Sequence, residues 1–75
     1  MELQTFVLEF EKQLEDYNGE SLTGETNFKS LPEWDSMNTL AIIAMIDHKY
    51  NKQITAEDIE STNTISELFS RIQSL

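Results

Sequence analysis

Asp35-Ser36-Met37-Asn38-Thr39-Leu40-Ala41-Ile42-Ile43-Ala44-Met45-Ile46-Asp47-His48-Lys49-Tyr50 is the stretch that decides the fold of this chain. Its apolar spacing, with Asn51 following, predicts a helix over Ser36–Tyr50. At about 100° per residue, Thr39, Ile42, Ile43, Ile46 and Tyr50 fall on one side and make an ordinary core face. Met37, Ala41, Ala44 and His48 fall opposite, with Leu40 between the two sides. A helix apolar almost all round is either wrapped by a large core or offers its second face to something else. Two readings follow. The long loop before the helix folds over that face, or Met37, Leu40 and Ala44 form an exposed docking patch in which methionine supplies adaptable contact area. So small a domain has few elements with which to wrap a helix, and the patch begins next to Ser36.

Working outward, Leu3, Phe6, Val7, Phe10, Leu14 and Tyr17 line one face of a helix over residues 2–17. Glu9, Lys12, Gln13 and Asp16 lie on its wet face, and Asn18-Gly19 tolerates the left-handed backbone that ends it. Residues 18–35 hold both glycines and the single proline in an irregular pattern, so they form a long loop, with Phe28 and Leu31 as its anchors in the core. After the central helix, Thr55-Ala56-Glu57-Asp58 is a capped start for a short third helix carrying Ile59. Thr64-Ile65-Ser66-Glu67 is a capping box opening a last helix with Ile65, Leu68, Phe69 and Ile72 inward. No stretch alternates as a strand does, and there are no internal repeats. The expected architecture is all-α: one domain over residues 1–75, a small four-helix bundle of three longer helices and one short one.

Size and charge exclude several classes of function. A chain of 75 residues has no room for a deep enclosed active site, and with no cysteine and one histidine its core must come from helix packing alone. Fourteen acidic residues against five basic ones give a formal charge of −9, which argues against nucleic-acid binding, since phosphate affinity is built on clustered Lys and Arg. The charge suits a basic protein partner, or it merely keeps a small domain in solution. The amino terminus shows no signal-peptide pattern, and the apolar run over residues 40–46 is too short to span a bilayer, so a cytoplasmic protein is expected.

Catalytic and metal constellations are missing. His48 reads as a surface residue at the end of the central helix, where a cation complements the dipole. No second histidine or cysteine exists to build a metal site around it. Asp47 and His48 diverge as helix neighbours, with Ser36 three turns away, so no nucleophilic triad forms. Asp16, Asn18 and Glu20 alternate as calcium ligands do, but the glycine and glutamate that a calcium loop needs fall at the wrong offsets.

Ser36 remains. Either it or Asp35 is the N-cap of the central helix, accepting a bond from the first free amides. Leu31 precedes Pro32 and is biased toward extended backbone, which favours a helix start after Trp34 with at most a short turn around Pro32. A serine at an exposed helix N-terminus is also a good place to bear a phosphodiester, because unpaired amides and a partial positive charge stabilise the anion.

With Asp35-Ser36-Met37 at the start of the second of four helices, the chain resembles the acyl carrier proteins, whose hallmark there is Asp-Ser-Leu. The resemblance covers essentially the whole chain: first helix, long loop, helix from Ser36, short helix near Ile59 and last helix after Thr64. It implies that a phosphopantetheinyl transferase moves 4'-phosphopantetheine from coenzyme A onto the Ser36 hydroxyl, and that the terminal thiol carries acyl groups as thioesters. It implies docking roles for Glu33, Asp35, Met37, Leu40, Ala44 and Asp47 toward acyl-transferring or acyl-activating enzymes with basic surfaces. An acyl-sequestering interior would map to Ile42, Ile46, Ile54 and Ile65. The protein would then be a carried phosphoprotein substrate and no enzyme itself. Carriers of fatty acid synthesis usually bear several acidic residues along this helix, where the chain has Asn38, Ala41 and His48, so the run Leu31-Pro32-Glu33-Trp34-Asp35-Ser36-Met37 looks more like a carrier of a specialised pathway. Two alternatives stand beside it: an unmodified acidic helical interaction module, and a carrier of aminoacyl cargo, against which the missing glycine-rich sequence before the serine argues.

Overall fold

A computed structural model describes residues 2–14, 21–32 and 34–75. Among them the chain forms four α-helices, α1 (Leu3–Gln13), α2 (Ser36–Tyr50), α3 (Ala56–Glu60) and α4 (Ile65–Gln73), with a 3-10 turn at Phe28–Ser30. This is the expected small all-α bundle, and no strand occurs among the described residues; a single isolated bridge joins Asn27 to Thr64. No helix among them is long and apolar enough to cross a membrane.

The central helix starts and stops where its sequence predicts. Asp35 is the N-cap, its side chain accepting from the Asn38 amide. Asn51 ends the helix in the left-handed region at φ 55°, ψ 39°, donating its amide to the Asp47 carbonyl, a conformation that asparagine tolerates better than most residues. α3 and α4 both open on complete capping boxes, Thr55 with Asp58 and Thr64 with Glu67. The first two amides of α4 are also taken: Ile65 donates to the Thr26 carbonyl at 3.2 Å and Ser66 to that of Gly24 at 2.8 Å. The loop thus seals the start of α4. Gly24 suits this crowded place, since a Cβ on it would come within 2.9 Å of a Leu3 side-chain carbon.

One boundary differs from expectation. The first helix ends at Gln13, where the periodic pattern predicts continuation to residue 17. At Leu14 the backbone leaves the helical region (φ −90°, ψ 82°), its amide closes back on Glu11 at 3.1 Å, and its side chain is buried. The helix thus stops on a leucine, without the glycine or asparagine that marks many helix ends. Tyr17, the Asn18-Gly19 stop and the calcium-like residues Asp16, Asn18 and Glu20 lie outside the described residues.

The core joins all four helices and the loop. Phe6, Phe10, Phe28, Ile42, Ile46, Ile59, Ile65, Leu68 and Ile72 are completely buried, and Ile54 nearly so. Phe28 anchors the loop as expected, and Leu31 packs against the core from its edge. Leu22 and Trp34 are two further anchors that spacing alone did not single out. The polar ties sit at the margins. Glu9 of α1 is shared between Lys12 and Lys49, each at 3.4 Å; burial pushes its carboxyl up, but the two ammonium groups pull it below its ordinary range. Arg71 of α4 meets Asp58 at 2.7 Å. The Thr55 amide and then Arg71 hold the Asp58 carboxyl below the usual carboxylate value.

Candidate functional site at the start of the second helix

The approach to Ser36 is built from the loop inward. Phe28 inserts fully, Leu31 takes the extended backbone expected before proline (φ −68°, ψ 136°), and the Trp34 amide donates to the Leu31 carbonyl at 3.0 Å, closing a turn around Pro32. The Trp34 ring stacks on Phe10 of α1, with centroids 5.8 Å apart and planes within 9°. It also meets Phe28 edge-on at 4.9 Å. Asp35 then runs extended (φ −152°, ψ −176°), and its carboxylate Oδ1 accepts from the Asn38 amide at 2.9 Å. Its carbonyl takes both the Thr39 amide at 3.1 Å and the Thr39 hydroxyl at 3.3 Å.

These contacts decide between the two candidate caps. Asp35 caps, and Ser36 is the first helical residue. The Ser36 side chain is exposed, and its hydroxyl has no hydrogen-bond partner among the described residues. The amides of Ser36 and Met37 precede the first intrahelical bond and have no partner among the described residues, whereas the corresponding amides of α4 are filled by the loop. No acidic side chain occupies the first turn of α2, and His48 and Lys49 occupy its last turn. Among the described residues, the positive end of the helix dipole therefore has two unpartnered amides beside an unengaged hydroxyl.

Next to Ser36 lies an apolar ridge. Met37 is 76 % exposed and Leu40 66 %, the two most exposed large hydrophobic side chains of the molecule's described part, and Ala44 is exposed beyond them. The described part of the loop therefore leaves this face uncovered. Ala41 is half-buried, and Asp47 and His48 are exposed at the far end, His48 as the sequence predicts. The core side of α2 carries Ile42 and Ile46 fully inside and Thr39 largely so, with Ile43 and Tyr50 at its edges. Met45 joins them, a buried residue that helical plotting left unassigned. Asp35 and Asp47 bracket the ridge, about 18 Å apart along the axis at 1.5 Å per residue. Glu33, also expected in docking, lies outside the described residues.

Comparison of the chain with protein-family models, with curated proteins and with solved structures finds no match.

Ile42, Ile46, Ile54 and Ile65, which the resemblance marks as an interior for cargo, are all buried in the one core. A shallow, open cleft borders it where Ile43 and Asp47 of α2 face Gln53, Ile54 and Thr55. No group of three or more His, Asp or Glu side chains is placed to hold a metal ion among the described residues.

Proposed function

We propose that this protein is an acyl carrier that bears 4'-phosphopantetheine on Ser36 and presents thioester-linked cargo to partner enzymes. The observation that carries the reading is the division of labour at the start of α2: Asp35 caps the helix, and the Ser36 hydroxyl is exposed and, among the described residues, without a partner at the helix N-terminus. A phosphodiester fits there. The hydroxyl is accessible to a transferase, two amides unpaired among the described residues and the helix dipole favour the anion, and the Asp35 carboxylate is turned to the Asn38 amide. The arm supplies a thiol, which the chain itself lacks, for thioester formation.

The chain's own residues then have separate tasks. Asp35 fixes the helix start and adds negative charge for the transferase that draws on coenzyme A. Met37, Leu40 and Ala44 offer apolar contact to the enzymes that load or transfer the cargo, and Asp35 and Asp47 pair with basic groups at either end of that contact. The sparse acidic face, with Asn38, Ala41 and His48 on this side of the helix, favours partners of a specialised pathway over those of general lipid synthesis.

The exposed ridge also supports a second reading, an unmodified interaction module that binds a partner through Met37 and Leu40. Incubation with coenzyme A, magnesium and a broad-specificity transferase separates the two. The carrier gains the mass of one phosphopantetheinyl group and the Ser36→Ala variant gains none; an unchanged wild-type mass favours the module.

A further inference from the structure

Trp34 stands two residues before Ser36, and its indole reaches from the turn before α2 to Phe10 of α1 and to Phe28 of the loop. Its stacking on Phe10 is close to parallel, and the contact with Phe28 is nearly perpendicular, so the ring is held on two sides by completely buried side chains. Such aromatic pairs have preferred geometries and resist sliding. The one residue between Trp34 and Ser36 is Asp35, and it has little freedom of its own. Its side chain and carbonyl together accept three hydrogen bonds from the first turn of α2. Behind Trp34, the turn closed by its amide on Leu31 removes the slack on the other side.

We infer that Trp34 is a positioning residue: wedged between Phe10 and Phe28, it sets where the Ser36 hydroxyl stands relative to the bundle, and so how well a transferase meets it. This rests on the proposal that Ser36 is the attachment point. The remainder of α2 is held independently by Ile42, Met45 and Ile46 in the core. Loss of the wedge therefore frees the approach and the first turn while the bundle persists. Group transfer between two macromolecules is sensitive to such freedom, since a misplacement of about 1 Å at a reacting atom can cost on the order of a hundredfold in rate.

Trp34→Ala and Phe10→Leu cut the stack from its two ends. Trp34→Phe keeps a ring in the wedge. Ile72→Val weakens the core from α4, an element carrying neither the wedge nor Ser36. The rate of phosphopantetheinyl transfer to each, against carrier concentration, is expected to fall on the order of tenfold or more for Trp34→Ala and Phe10→Leu. The loss should appear mainly as a raised KM for the carrier, with helical circular dichroism retained and with Trp34→Phe restoring most of the rate. Ile72→Val should be modified at the wild-type rate. Wild-type transfer in both cut variants, or an equal slowing in Ile72→Val, overturns the inference.

Amide hydrogen exchange at Asn38 and Thr39 gives a readout independent of transfer. It should quicken in Trp34→Ala relative to the amides of Ile46 and Leu68, and unchanged protection refutes the wedge. A wild-type protein that takes no group counts against the carrier proposal, while the exchange measurement still decides whether Trp34 positions the turn.

Discussion

Replacing Asp35 and Ser36 in turn separates the cap from the attachment point. In Asp35→Ala the carbonyl still accepts from the Thr39 amide and hydroxyl, because those bonds use the backbone. Only the 2.9 Å bond from the Asn38 amide is lost. That bond is at the surface, and water replaces the lost acceptor, so the cost stays at the ordinary value for a cap, about 1 kcal/mol. For a domain of this size that is a fall in Tm of roughly 4–8 °C. Ser36→Ala removes an exposed hydroxyl with no partner among the described residues, and its effect should stay within about 0.5 kcal/mol of zero. Thermal melts of the two unmodified variants, followed by circular dichroism in one buffer, measure the difference. Modification should respond in the opposite sense, with Ser36→Ala losing it entirely and Asp35→Ala keeping some. If Ser36→Ala melts as low as Asp35→Ala, or if Asp35→Ala melts with the wild type, the assignment of cap and free hydroxyl is wrong.

Three further outcomes test other parts of the molecule. Met37→Glu and Leu40→Glu should weaken binding to a loading enzyme or transferase while changing stability by no more than about 0.5 kcal/mol, as measured by titration and by melts; unfolding of either variant would place these side chains in the core. Ile46→Ala, on the buried side of the same helix, should cost about 2–5 kcal/mol and leave much of so small a domain unfolded by circular dichroism. Asp58 has a carboxyl held below 3.8, its usual value, by the Thr55 amide and Arg71. The stability it contributes is fully present above that value and is lost as pH falls through the lower folded-state value. Asp58→Asn should accordingly flatten the loss of Tm on acidification over that window, and an acid profile identical to wild type would contradict the link between α3 and α4.

Most of the fold was legible because its signals are local. Asp35 and Asn51 bound α2, and the Thr55 and Thr64 boxes bound α3 and α4, since a cap reads only a few neighbouring residues. The end of α1 was not legible in the same way. Periodicity runs on through Leu14, and the helix ends there with no glycine or asparagine to mark the stop, although Leu14 stays buried. Met45 shows the same limit. It lies beside the plotted core face of α2, and its burial depends on how far neighbouring elements wrap that helix, which spacing within one helix does not encode.

The site divides along the same line. That Ser36 heads a helix next to an apolar face could be read directly from the sequence. Which of two adjacent residues caps could not, because Asp and Ser serve equally well and the choice falls to backbone geometry. The importance of Trp34 was hidden too. In the sequence it is one of two aromatics in a long loop, and its partner Phe10 is far away along the chain. The signal that could have suggested it is its size: a large indole in an irregular loop of a small domain needs a place in the core.

The most direct test of Ser36 as a carrier's attachment point is tandem mass spectrometry of the protein recovered from its own cells. The peptide containing Ser36 should carry phosphopantetheine, free or acylated, and should release the arm on fragmentation to leave a signature at that residue alone. Recovery of that peptide unmodified, from protein that has been made and folded in those cells, would contradict it.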